Sequence, residues 1–143
     1  MTQDIIIRVM EEKDIDAAIA LWKECFRPDS SAYNETPEII ARYLRRNPGL
    51  STVAITAGGH LAGTLLCGHD GRRGSLFHAA VAPAFRRRGI ADAMQRRSLE
   101  TLRAEGIEGA FLHITTRNPG SEEFWVSAGW ELRSDVHYLY RAL

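Results

Sequence analysis

Apolar residues fall into two spacings along the first half of the chain. Ile5 to Val9 is a β-branched run with polar residues on both sides, which predicts an opening strand buried on both faces. From Asp14 the spacing changes: Ile15, Ile19, Trp22 and Phe26 fall at i, i+4, i+7 and i+11, on one face of a helix that ends before Pro28. The polar stretch 29–35 has Tyr33 as its one aromatic residue and leads into Thr36-Pro37-Glu38, a hydroxyl N-cap followed by proline at the first helical position. This short second helix runs to about Arg46 and stops at Asn47-Pro48-Gly49. Strands over 52–57 and 61–67 flank Gly58-Gly59, whose glycines supply the positive φ of a tight hairpin. A turn at Asp70-Gly71-Arg72-Arg73-Gly74 and a third strand over 75–82 complete an antiparallel meander.

After Pro83 an arginine-rich loop opens a helix over 89–105 that stops at Gly106, and residues 109–115 form the next strand. A strand–loop–helix–strand crossover of this length pairs its strands in parallel. Ser121 reads as the N-cap of a short helix to Ala128, with Glu122 and Glu123 at the positive end of its dipole and Gly129 just beyond its end. Residues 130–132 and 136–143, around Arg133-Ser134-Asp135, read as two closing strands. The order β α α β β β α β α β β describes a mixed α/β sheet, and 143 residues suit a single domain over 1–143.

Composition narrows the function more than the fold. Lys+Arg and Asp+Glu number 18 each, so the net charge is zero, whereas a generic nucleic-acid or anionic-membrane binder carries a basic excess. Any anion site is therefore local. Cys25 and Cys67 lack zinc-ligand spacing and read as core thiols, so no metal is expected. The acidic, polar start lacks the regions of a signal peptide, and no apolar run approaches the ~20 residues of a membrane span, so a cytoplasmic protein with no membrane partner is expected.

Candidate chemistry concentrates between Ser75 and Ala91. A strand runs into a cationic loop and then a helix start, where first-turn N–H groups are unpaired and lie at the positive end of the helix dipole. Gly89 lets the main chain approach an anion closely, Ala91 keeps the helix face small, and Arg86, Arg87 and Arg88 add charge and forked donors. A solvated arginine cluster and a nucleic-acid patch are the competing readings of the loop by itself. Strand alternation places Leu76, His78, Ala80 and Ala82 on one side and Phe77, Ala79 and Val81 on the other. Within that run only His78 is polar. Because imidazoles titrate near neutrality, it is a candidate general base, directly or through a water; a hydrogen-bonded core histidine is the alternative. Asp70 could orient a histidine or bind a cationic substrate, but Asp-Gly reads first as a turn, and His60 and His69 likewise read as turn residues.

The segment 75–91 resembles motif A of the GNAT superfamily of N-acetyltransferases, whose Arg/Gln-x-x-Gly-x-Gly/Ala signature stands here as Arg86-Arg87-Arg88-Gly89-Ile90-Ala91. A second match follows in family order: Asn118-Pro-Gly-Ser121-Glu-Glu-Phe124-Trp125-Val-Ser-Ala-Gly129-Trp130 is similar to the family's Asn-x-x-Ala/Ser-x-x-Phe/Leu-Tyr-x-x-x-Gly-Phe segment. The turn from Gly68 to Gly74 resembles that of a bacterial YpeA-like subgroup. The resemblance implies the GNAT fold: a mixed central sheet with an antiparallel N-terminal meander and a parallel pair at the cofactor site, flanked by about four helices.

It also implies acetyl transfer from acetyl-CoA to a primary amine by direct attack, without a metal. Residues 86–91 would hold the pyrophosphate, the main chain of Ala79, Ala80 and Val81 would meet pantetheine, with the Val81 N–H at the thioester oxygen, and Asn118 would reach pantetheine. The connection from Phe26 to Asn34 would cap the acceptor side, with Tyr33 as the substrate contact. Two departures matter. Trp125 stands where many members carry a tyrosine acid, which makes it a candidate wall residue of the substrate site instead, and Ser75 stands near the position of a glutamate base. A non-catalytic acyl-CoA-binding domain of the same fold is therefore the alternative function. The apolar stretch from Val136 to Tyr140 is a candidate homodimer contact.

Overall fold

Among the described residues five strands form one sheet in chain order, and of its pairs the last alone is parallel. The computed structural model describes residues 4–143 in two compact units, the first running to His113 and the second spanning Ile114–Leu143. In the first unit β1 (Ile5–Val9), β2 (Thr52–Thr56), β3 (Leu61–His69) and β4 (Gly74–Val81) pair antiparallel, and β5 (Ala110–Leu112) lies parallel to β4. With one neighbour only, β1 is an edge strand rather than one buried on both faces, and Ile6 is exposed. Helices α1 (Ile15–Cys25) and α2 (Pro37–Arg46) cover one face of the sheet with a core around Trp22, Ile40, Val53 and Leu66. On the other face lies α3 (Ile90–Ala104): Thr52, the neighbour of Val53 in β2, turns its hydroxyl to the Met94 carbonyl.

Local signals set several of these boundaries. Thr36 Oγ1 accepts the Ile39 N–H at 3.3 Å, with Pro37 at the first helical position of α2, as its sequence predicts. Asp70 Oδ1 accepts the N–H groups of Arg72 and Arg73 at 2.8 and 3.0 Å, and these bonds hold its carboxyl down at about 2. That is the turn role expected of it. His69 serves the same turn from the end of β3: its Nδ1 accepts the Gly71 N–H at 3.0 Å, and its Nε2 lies 2.9 Å from Glu105 Oε1.

The turn Glu12–Asp14 that leads into α1 is fixed by Asp14, whose carboxylate takes a two-pronged bond from Arg8 of β1, 2.8 Å on each oxygen, and the Glu11 N–H at 2.8 Å. Burial by itself would raise the Asp14 pKa, but the bonds from Arg8 and the Glu11 N–H outweigh it and hold the group below its ordinary value of 3.8. A depressed folded-state pKa contributes stability above the unfolded value, lost as pH falls through the folded one. Asp14→Asn is therefore expected to destabilise the protein by about 1–2 kcal/mol at neutral pH, several degrees of Tm, with the gap to wild type closing below pH ~4. Melting curves at pH 7 and pH 3.5 check both points.

Strand β4 does not follow simple alternation. Its register with β3 runs from Thr64↔Ala80 to Leu66↔Phe77, so His78 and Ala79 together oppose one residue, a β-bulge, and His78 takes φ 54°. The bulge breaks the expected two-sided pattern. A Cβ on Gly74 would meet Leu102 of α3, so Leu76 shares that face, whereas Phe77, Ala80 and Ala82 pack with the α1 core and His78 meets Trp22. Leu76 is thus separated from His78, and Phe77 joins it.

In the second unit α4 (Pro119–Ser127) is capped by Asn118, not Ser121: Asn118 Oδ1 accepts the Ser121 N–H at 3.3 Å. Residues 130–143 carry no strand, against expectation. The physical reason is clear for Trp130, whose N–H bonds to the Trp125 carbonyl at 3.0 Å across Gly129 (φ 102°), so it closes a Schellman-type helix end instead of beginning a strand. No helix among the described residues is long and apolar enough to cross a membrane.

Candidate active site

Three packed elements converge on His78 at the bulge. Its carbonyl accepts Thr64 Oγ1 at 3.0 Å, and the same hydroxyl accepts the Trp22 indole N–H at 2.8 Å. Thr64 and Trp22 are fully buried, so α1 and β3 pin a backbone conformation that side chains other than Gly, Asn, Asp and His seldom adopt. The imidazole lies against the Trp22 ring, 4.8 Å between centroids in an edge arrangement, with Phe26 at 6.2 Å. Its Nε2 is 3.2 Å from Glu35 Oε1. The connection between α1 and α2 therefore does reach the strand, through Phe26 and Glu35.

Beyond Leu76 the β4 edge facing β5 is open, because the parallel register ends at Leu76↔Leu112. The Ala82 N–H donates across to the Ala62 carbonyl at 2.8 Å, so by alternation the Val81 N–H and C=O point to the opposite, open edge. Ala79 and Ala80 precede it, Ala80 with its methyl buried in the α1 core. Arg86 turns back to this edge: its Nε donates to the Val81 carbonyl at 3.0 Å, and its Nη2 lies 3.7 Å from Cys25 Sγ at the end of α1. Burial pushes the Cys25 thiol up, with Arg86 opposing, and pushes the enclosed Cys67 thiol up to about 12. Neither is a thiolate nucleophile at neutral pH.

The loop then folds into an anion cradle. Arg87 (φ 63°) and Gly89 (φ 76°) both occupy the left-handed region, Gly89 is the N-cap of α3, and no side chain among the described residues caps the helix. The first intrahelical bond is Ala93 N–H to the Gly89 carbonyl at 3.0 Å, which leaves the Ile90, Ala91 and Asp92 N–H groups without helical partners. A Cβ at Gly89 would meet nothing within 4 Å, so the space over the cradle is open. The Arg88 guanidinium sits 5.3 Å from the centre of the Phe85 ring. A cleft of about 300 Å³ beside Ile5, Ile7, Arg88, Gly89 and Ile90 adjoins it.

The sequence profile of the Acetyltransferase (GNAT) family matches residues 15–130. An acetyltransferase of Photorhabdus laumondii is 40% identical over 113 residues, 78% of this chain and 76% of its own. One of Sodalis glossinidius is 32% identical over 139 residues, 96% of this chain and 94% of its own. This chain belongs to the GNAT acetyltransferase family. The crystal structure of the PaiA N-acetyltransferase of Thermoplasma acidophilum, in complex with coenzyme A, shares its fold with a TM-score of 0.81 at 17% identity over 93% of each chain.

Within that GNAT frame the predicted residues divide by unit. His78, Val81 and the stretch 86–91 are consecutive on β4, the loop and α3, and Tyr33 sits in the turn Ser31–Asn34, two residues before Glu35. Asn118 and Trp125 belong to the second unit, where Asn118 caps α4 and Trp125, 7% exposed, packs edge-on against Phe124 at 4.9 Å and Trp130 at 5.8 Å. Glu35, Thr64 and the hydrogen-bonding role of Trp22 are absent from the sequence reading. Trp22 shows only as a core position of a helix, Thr64 as one polar residue in an apolar strand, and Glu35 has no periodic or motif signal.

Proposed function

We propose that this GNAT protein transfers the acetyl group of acetyl-CoA to a primary amine by direct attack, with its two units acting as one acetyltransferase domain. The observation that carries the reading is the placement of a largely buried imidazole on the β4 bulge, on the strand whose open edge leads directly into an uncapped helix N-terminus. The N–H groups of Ile90, Ala91 and Asp92, with Arg87 and Arg88, would hold the pyrophosphate. The Val81 N–H would face the thioester oxygen and gain strength as charge develops there.

The amine nitrogen forms a bond to the thioester carbon, the C–S bond breaks, and the sulfur keeps its electron pair. His78 takes the proton that the amine loses. The thiolate leaves as the conjugate base of a thiol with pKa near ~8.5 and recovers a proton from water, so no tyrosine is required where Trp125 stands. The overall balance is an amine and a thioester giving an amide and a thiol.

Purified protein is to be incubated with acetyl-CoA and, separately, a peptide N-terminus, a lysine peptide, free amino acids, a polyamine and an aminoglycoside, while free thiol is followed. Amine-dependent thiol release above the buffer rate is expected with at least one. Binding of acetyl-CoA with no release for any of them would instead favour the non-catalytic acyl-CoA-binding domain.

A further inference from the structure

We propose that Glu35 is the positioning residue for the His78 base: its carboxylate sets the imidazole as the Nε2–H tautomer and so leaves Nδ1 as the nitrogen that takes the acceptor's proton. The inference rests on the reading of His78 as base given above. An ionised carboxylate only accepts hydrogen bonds, so a contact of 3.2 Å between Glu35 Oε1 and His78 Nε2 favours the tautomer with hydrogen on Nε2. The side chains are 22% and 11% exposed, so water competes weakly for that bond. The two aromatic rings against it, Trp22 and Phe26, offer no acceptor, and the Trp22 N–H is committed to Thr64. With the His78 carbonyl held by Thr64 and its φ fixed by the bulge, ring orientation is the remaining freedom, and Glu35 is the group placed to set it.

Glu35 is itself held from both sides. Before it, Asn34 Nδ2 donates to the Pro28 and Ser30 carbonyls at 2.8 and 3.1 Å, which ties the connection to itself. After it, Thr36 caps α2 and Pro37 fixes the entry to the helix. Glu35 is thus presented from a tied turn at an extended position (φ −67°, ψ 142°), not from a free loop. The same carboxylate would stabilise the imidazolium formed when Nδ1 accepts the proton, which the imidazolium then returns to water.

The test compares Glu35→Ala and Glu35→Gln with wild type by two measurements. Long-range proton–nitrogen NMR of the His78 ring, at a pH high enough to keep it neutral, reads the tautomer without any substrate. Thiol release with the fastest amine of the panel above gives kcat and the KM for acetyl-CoA. Wild type and Glu35→Gln, which keeps an acceptor oxygen, should show the Nε2–H pattern, whereas Glu35→Ala should show mixed tautomers. Glu35→Ala should lose roughly 10–100-fold in kcat, as on removal of the outer partner of a functional histidine, with KM for acetyl-CoA within about twofold of wild type. Glu35→Gln should fall between them.

The proposal is overturned by an Nδ1–H pattern in wild type, by a Glu35→Ala spectrum like wild type, or by a full kcat despite a changed tautomer. If Glu35→Ala unfolds, a Glu35→Gln variant with either the wrong tautomer or an unchanged kcat overturns it equally. His78→Asn separates the two levels: full activity in that variant removes the base reading and this proposal together. Loss of activity there, with an unaffected Glu35→Ala, removes only the role of Glu35.

Discussion

Replacing His78 by asparagine is expected to lower kcat for amine-dependent thiol release by roughly 10²–10⁴-fold, the range for loss of a general base, while KM for acetyl-CoA stays near wild type. Asparagine is the informative replacement because of the backbone. At φ 54° a residue without a compensating side chain is strained, whereas asparagine visits this region with little penalty. His78→Ala should lose the same activity and additional stability, since it combines the strain with a void against Trp22. A matched fall in kcat for both variants, with the lower Tm in alanine alone, assigns the loss to the imidazole. A His78→Asn enzyme within a few-fold of wild type would show that water deprotonates the acceptor unaided.

Several turns and helix boundaries of the fold are legible in the sequence itself. Thr36-Pro37, Asp70-Gly71 and Gly106 punctuate the chain through local backbone chemistry, and each acts where its residue type predicts. The cradle is similarly local, since a glycine at a helix start after a cationic loop is a short-range pattern. Non-local geometry stayed hidden. The bulge at His78 depends on how β3 and β4 register, and nothing between Leu76 and Ala82 announces an extra residue. Glu35 becomes visible only when the connection after α1 folds back over β4, 43 residues along the chain. The last residues failed for another reason: Trp130 has strand character, but the helix-closing bond to Trp125 takes its N–H first.

Gly89→Glu is expected to abolish the thermal shift that acetyl-CoA gives, and Gly89→Ala separates the causes. A ligand bound only by the folded state at ~100-fold excess over Kd stabilises by about 2.7 kcal/mol, roughly 10 °C in Tm for a chain of this size. At Gly89 the protein itself presents no obstacle to a side chain, since a Cβ there meets nothing within 4 Å. What alanine or glutamate meets there is the left-handed backbone, φ 76°, worth about 1–2 kcal/mol against either, and whatever anion occupies the cradle. Alanine should therefore reduce stability, weaken binding moderately and retain a measurable shift. Glutamate carries the same backbone penalty but adds a carboxylate at the positive end of α3, which favours the helix by a few tenths of a kcal/mol and repels a pyrophosphate. Its Tm without ligand should match or exceed that of the alanine variant while its shift vanishes. The opposite order of effects, with glutamate less stable than alanine yet shifted by acetyl-CoA as wild type is, would move the cofactor site away from the start of α3.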